Sequence, residues 1–405
     1  MEHNIHTTIC KMEDSITDLQ FDPTSAEKIA ENEDLAKEIF IHLPATHLAS
    51  CLQVSKLWRS FISNQTFVSR HNFVHPPSLS GLFLIPRQIT QHPGVHFLSL
   101  NPRNPNVHVH PFTNFLNSRS FQIIHSCNGL LLCQSGVSRY YVCNPSTRQS
   151  RILPRCSYME QDQYALNLAF DPLTSPEYKI VCVQKLENQH TFYRIAIYSS
   201  ETRDWSLLQK PYSAPNDVNF KNGVFCHGAI HWSTTTYGGR GVYLKLNTNI
   251  ITEMPIAPTH DEESQSQYKF KYFGKSEECL LYIISRPLLN HYIAFKLKED
   301  YSGWELKFRL NLNVLIPKFP AIARHFGFHP LFTEYECDVL CINGAGIDKD
   351  VEIVLSIPGE IIFFNLKKKS SIEVRDPVFR SCDVTIWIVF TPIAPFEAKF
   401  MGQRE

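Results

Sequence analysis

The chain has 405 residues, 43% of them hydrophobic and 19% charged, a balance that fits a folded globular protein and excludes a disordered one. Lys plus Arg and Asp plus Glu both total 39, so the formal net charge is zero and the basic footprint of a nucleic-acid binder is missing. One packed unit seldom exceeds ~250–300 residues, so two or more units, or one large repeat-built domain, are expected.

No apolar run of about 18 residues occurs, so no membrane span is expected. The start, Met1-Glu2-His3-Asn4-Ile5-His6, lacks the basic and apolar regions of a secretory signal. The cysteines lie inside apolar runs such as Leu131-Leu132-Cys133 and Ile180-Val181-Cys182, where a thiol behaves as a small hydrophobe. A reduced setting, cytoplasmic and/or nuclear, is the expectation.

Residues 1–28 are polar and aperiodic and are expected to form a flexible tail. Residues 29–72 carry a helical period. Leu35, Ile39 and Leu43 recur at i, i+4 and i+8, with Asn32 placed to cap and Glu33 and Asp34 placed for the helix dipole. Pro44 ends that helix. A second short helix is expected over Thr46–Gln53, with Leu48 and Leu52 on one face, and a third after Ser55 with Trp58, Phe61 and Ile62 inward. Three such helices bury little apolar area, so several large side chains should seek a partner surface.

From Pro76 to about residue 395 the period switches from helical to alternating. Tyr193, Ile195 and Ile197 share one strand face, and Arg194 and Ala196 the other. Six hairpin-like units can be counted, with turn markers at 101, 144, 200, 247, 300 and 365. They recur at roughly the 40–50-residue period of propeller blades. Many short antiparallel strands must hide their edges, and radial repetition does so. The expected fold is therefore α+β and multidomain: a short three-helix unit, then an all-β domain forming a β-propeller of about six blades. A pair of β-sandwiches is the alternative. Ring closure should bring the apolar runs Gly81–Ile85 and Val384–Phe390 into one sheet or adjacent ones.

Leu43-Pro44, Leu48, the string Val54-Ser55-Lys56-Leu57-Trp58-Arg59-Ser60-Phe61-Ile62, and Phe67 together resemble the F-box. Where that family opens with a Leu-Pro pair, this chain has Glu31-Asn32-Glu33-Asp34. The remainder resembles the F-box-associated domain of plant F-box proteins. The likeness rests on Ser126-Cys127-Asn128-Gly129-Leu130, Val142-Cys143-Asn144-Pro145-Ser146-Thr147, Phe170-Asp171-Pro172, and Gly223 to Trp232. The resemblance implies a substrate-recognition adaptor of an SCF-type ubiquitin ligase. The F-box would bind a Skp-type adaptor, and through it a cullin–RING ligase, while the β domain binds a protein target. It places Leu35, Ile39, Leu43, Pro44, Leu48, Val54, Ser55 and Trp58 at the adaptor surface or beneath it. The other readings are a protein-binding propeller without a ligase role, and a propeller enzyme.

No cofactor, metal site or catalytic group is expected. Cys226, His227 and His231 lack a paired Cys-x-x-Cys or His-Glu-x-x-His. Gly344-Ala345-Gly346 lacks the third glycine of a dinucleotide loop. Asn128-Gly129 and His227-Gly228 suit tight turns with positive φ, and Lys367-Lys368-Lys369 suits a charged hairpin tip. Target contacts are expected from loops on one rim, Tyr237-Gly238-Gly239-Arg240 and Pro258 to Gln267 first.

Overall fold

The computed structural model describes residues 32–75, 81–86, 95–99, 109–111, 121–145, 149–157, 164–186, 191–235, 238, 240–257, 268–277, 279–286, 290–325, 333–335, 337–344, 350–375 and 382–383. The tail over 1–28, the Pro258 to Gln267 loop and the run Val384–Phe390 lie outside them. Two compact units separate, one holding the helices and the other running from Pro77 to Phe396.

The helical unit begins where expected. Helix α1 spans Glu33–Phe40, and Asn32 Oδ1 accepts the Leu35 amide at 3.1 Å. After Pro44 comes α2, Ala45–Cys51, somewhat shorter than the periodicity suggested. In α3, Lys56–Ile62, Ser55 Oγ accepts the Trp58 amide at 3.0 Å. Each cap satisfies an amide that the helix itself leaves unpaired. A fourth helix, α4, spans Gln65–Val74, with Asn64 as its cap. It had no strong periodic signal, because its inward side chains are spaced by a mixed set, Phe67, Val68 and His71. The shared core is aromatic: Phe40 meets Trp58 edge-on at 4.7 Å and Phe61 at 5.6 Å, and Phe61 meets Phe67 at 6.2 Å.

Among the described residues the β unit forms six sheets of four or five strands, plus a two-stranded ribbon of Ala323–His325 and Thr333–Tyr335. The second sheet takes Phe121–Cys127, Leu130–Ser135, Arg139–Asn144 and Gln149–Ile152 in simple antiparallel order. The third takes Tyr164–Phe170, Tyr178–Lys185, Phe192–Ser199 and Asp204–Leu207, with Tyr212–Ser213 extending its outer edge. Val224–Cys226, Ala229–Trp232, Val242–Lys245 and Ile250–Glu253 make the fourth. Lys269–Ser276, Cys279–Arg286, His291–Leu297 and Trp304–Asn311 make the fifth, and Asp338–Asn343, Glu352–Ile357, Glu360–Asn365 and Ser370–Arg375 the sixth. All six expected hairpins are present, one as the outer strand pair of each sheet.

The first sheet is assembled from both ends of the domain. Gly81–Pro86, His96–Ser99 and Val109–Pro111 supply three strands, and Cys382–Asp383 pairs along Gly81–Pro86. The register sets Ile85 opposite Asp383 and Pro86 opposite Cys382. Residues 382–383 thus fill the first position in strand order, which Phe121–Cys127 fills in the second sheet. A β-propeller closed by strands from both ends results. The pairing meets the expected Gly81–Ile85 run just ahead of residue 384.

Strands buried on both faces explain the unbroken apolar runs. In Leu130–Ser135, Leu131 and Cys133 pack toward Phe83 of the first sheet, whereas Leu130 and Leu132 pack toward Leu168 and Ile180 of the third. In Tyr178–Lys185, Ile180 and Cys182 face the second sheet while Val181 and Val183 meet Ile230 and Leu244 of the fourth. The period of two survives, but both phases are apolar because each face meets a neighbouring sheet. The seams between fourth and fifth and between fifth and sixth are filled alike.

Polar side chains register one sheet against the next. Asn167 is fully buried; its Oδ1 accepts the Gly223 amide at 2.9 Å and the Trp232 indole at 3.2 Å, and its Nδ2 donates to Phe220 O at 2.9 Å. Gly223 tolerates no side chain, since a Cβ there would lie 2.4 Å from Asn167 Oδ1. His125 Nε2 donates to Gly223 O at 2.8 Å while Nδ1 accepts the Leu168 amide at 3.3 Å. On the outside, Trp205 donates its indole N–H to Pro154 O at 2.9 Å and Trp304 to Pro255 O at 2.7 Å. Both tryptophans lie within the first two residues of an outermost strand, and both prolines follow the outermost strand of the preceding sheet.

Two predictions follow from closure and from these buried rings. Truncation after Val374 removes residues 382–383 and bares the edge of Gly81–Pro86. The fragment should aggregate during expression, since an open apolar edge invites pairing with other chains; a soluble, monodisperse fragment by size-exclusion chromatography would count against closure. Burial pushes both His125 and His231 down to about 4 from an ordinary 6.5. The unfolded chain therefore takes up protons first as pH falls. The stability of the neutral buried rings is complete above about 6.5 and drains as pH drops toward 4. Calorimetric melting should show this slope, and His125→Gln should flatten it; an equal slope in both chains would refute the assignment.

Candidate partner-docking surface

Among the described residues, the helical unit carries more exposed large apolar side chains for its length than the β unit does. Helix α1 turns Ala36 and Phe40 inward, so Leu35 and Ile39 point away from the core, 43% and 45% exposed. Val54, in the link before α3, is 64% exposed, and Leu57 on α3 is exposed too. Pro44 is exposed, and Leu43, Ser55 and Trp58 are half-buried. Leu48 differs: it is fully buried and belongs to the core of the unit. Leu57 is not among the residues assigned to the adaptor surface from the sequence; its apolar side chain within the Val54–Trp58 string is the sequence signal for it.

The roles within that group divide by geometry. Ser55 caps α3, and Trp58 rests edge-on against Phe40, so the first starts α3 and the second packs it on α1. Arg59 Nε donates to Leu52 O at 3.0 Å, tying α3 to the end of α2. Glu38 on α1 and Arg70 on α4 form a two-pronged pair, Nη1–Oε1 2.5 Å and Nη2–Oε2 3.1 Å. Hydrogen bonding from the Arg70 guanidinium holds the Glu38 carboxyl below its usual range. Leu35, Ile39, Val54 and Leu57 are the members left with large apolar surface to offer.

His231 is buried beside Tyr243 and Tyr301, whose rings stack on each other at 4.3 Å; its Nδ1 donates to Val224 O at 3.2 Å and its Nε2 accepts from Tyr301 Oη at 2.7 Å. Cys226 is buried, and its Sγ lies 3.7 Å from His227 Nδ1. Among the described residues no group of three or more His, Cys, Asp or Glu is placed to hold a metal ion, and the ten cysteines from Cys51 to Cys341 are free thiols. Asn128-Gly129 and His227-Gly228 form turns with positive φ at both positions, 43° and 95°, and 48° and 70°. Lys367 and Lys368 lie at an exposed hairpin tip, each Nζ 3.5 Å from Asp350.

Comparison with known proteins agrees with both halves. A model of the F-box domain matches residues 32–70, and a model of the F-box associated beta propeller domain matches residues 97–283. F-box protein At5g07610 of Arabidopsis thaliana is 28% identical over 392 residues, covering 88% of this chain and 88% of its own. F-box protein At3g07870 of the same plant is 30% identical over 229 residues, covering 50% of this chain and 53% of its own. A putative F-box/kelch-repeat protein, At1g12870, is 23% identical over 322 residues, covering 69% and 71%. The chain is a plant-type F-box protein, an F-box domain followed by a C-terminal F-box-associated β-propeller domain.

Proposed function

We propose that this protein is the substrate-recognition subunit of an SCF-type E3 ubiquitin ligase and has no catalytic role of its own. Its F-box would dock on a Skp-type adaptor, and so on a cullin–RING ligase, while the propeller holds a protein target. The observation that carries the reading is the outward apolar set Leu35, Ile39, Val54 and Leu57 on a unit whose core is otherwise filled. Chemistry would happen on other subunits. Holding a target near a ubiquitin-charged enzyme raises the effective concentration of its lysines, and that alone accelerates transfer. A cytoplasmic and/or nuclear setting accords with buried free thiols.

For the target we favour one rim of the propeller. In the fourth sheet Trp232, Val242 and Glu253 stand in register at one end. The links over 233–241 and 254–268 therefore both leave from that end, whereas His227-Gly228 closes the opposite one. Long links on a rigid scaffold suit recognition, and tight turns do not.

The test uses two variants of different character. Trp58→Ala removes a half-buried ring from beneath the surface, and Ile39→Glu charges an exposed apolar position without touching the core. Truncating an interface anchor costs about 2 kcal/mol or more, so each should weaken adaptor binding about 30-fold in a direct titration. Ile39→Glu should leave the melting temperature where it was. Unchanged affinity for both variants would sink the adaptor reading and leave the propeller as a binding module without a ligase role.

A further inference from the structure

Helix α4 lies beyond the Val54–Ile62 string, and two of its side chains send hydrogen bonds to one place. The corner between α1 and α2, residues 41–44, has helix-end carbonyls that α1 cannot satisfy itself. His71 Nε2 donates to Leu43 O at 2.8 Å, and His75 Nε2 donates to Ile41 O at 3.0 Å. The two histidines are i, i+4 neighbours on one face of α4, and their rings lie 4.6 Å apart. One turn earlier, Phe67 stacks on His71 at 6.2 Å and itself packs on Phe61. Arg70 adds the two-pronged grip on Glu38 near the end of α1. His71 is buried, while Leu43 and Pro44 reach solvent on the other side of the corner.

We propose that α4 is a positioning brace for the docking edge: His71 and His75, through the carbonyls of Leu43 and Ile41, fix the α1–α2 corner that presents Leu43 and Pro44 to the adaptor. This rests on the adaptor reading above. The histidines touch no partner themselves. They set the direction in which α1 ends and α2 begins, and so the spacing between the Leu35–Ile39 face and Pro44. A Gln side chain can place its amide nitrogen near the position of a histidine Nε2 and donate the same bond. A Leu fills comparable space and cannot donate.

The experiment uses the full chain with the paired substitutions His71→Leu/His75→Leu and His71→Gln/His75→Gln. Affinity for a purified Skp-type adaptor is measured by titration, and amide exchange is followed over residues 41–48. The Leu pair should lose about 10-fold in affinity and lose exchange protection at the corner, with the propeller's own melting transition unchanged. The Gln pair should stay within about 3-fold of wild type and keep that protection. Equal behaviour of the Leu and Gln pairs in both readouts overturns the brace, whether both bind normally or both fail. If the wild-type chain itself does not bind the adaptor, the adaptor reading fails. The exchange data then still decide whether the histidines hold the corner: unchanged protection in the Leu pair refutes it.

Discussion

Two backbone positions at the far end of the domain, Cys382 and Asp383, pair with Pro86 and Ile85 and make the first sheet complete. Every other sheet is built from consecutive strands, and the second to fifth sheets each have a neighbouring sheet on both faces. The first sheet alone depends on chain nearly 300 residues away. An unpaired strand edge buried beside packed sheets would leave backbone amides and carbonyls without partners, a cost comparable to a lost hydrogen bond for each. The ring is a solution to that constraint, since closure removes the edge that a stack of six sheets would otherwise present. The domain therefore gains its full stability only when both ends are in place, and its cooperativity is that of a closed object.

Within the ring, apolar contact and polar contact do different jobs. The seams are filled by Val, Ile, Leu and Cys, which exclude water but would tolerate sliding of one sheet over the next. Asn167 does not tolerate it: three partners from two chain segments converge on one amide, and a shift would strand them in the interior. His125 binds the same Gly223 from a third strand. The outer Trp205–Pro154 and Trp304–Pro255 contacts repeat the principle at the perimeter, each donating an indole N–H from a half-buried ring. Burial thus supplies the driving force, and a few directed bonds choose the register.

The F-box operates under the opposite limit. Forty-odd residues in four short helices cannot enclose all their large side chains. Phe40, Leu48, Phe61, Ile62 and Phe67 go inside, and Leu35, Ile39, Val54 and Leu57 stay out. The surplus is what makes the unit useful as a docking element. A unit this small would be poorly ordered at its corners without extra ties, and the polar contacts of α4 with α1 and the α1–α2 corner supply them. The same smallness that leaves apolar surface for a partner makes the position of that surface depend on a handful of hydrogen bonds.

The sequence by itself determined a great deal here. Asn32 and Ser55 are caps because their side-chain oxygens sit at the right offset from unpaired amides, a local matter. The six hairpins were legible for the same reason, since Asn, Gly and Pro at turn positions and a period of two in the flanks act over a few residues. What could not be read was anything that depends on distant chain. Leu35 and Leu48 are the same residue type in similar helical patterns, yet one faces outward and the other is sealed in, because Phe40 and Trp58 occupy the space between α1 and α3. α4 carries a mixed inward face whose histidines make sense only once Ile41 and Leu43 lie beside them. Asn167 in a strand of apolar residues looks like an irregularity until Gly223 and Trp232 arrive from the next sheet. The strand that completes the first sheet was foreseeable as a need, but its residues were decided by the tertiary structure, since hydrogen-bond register across about 300 residues leaves no trace in local spacing.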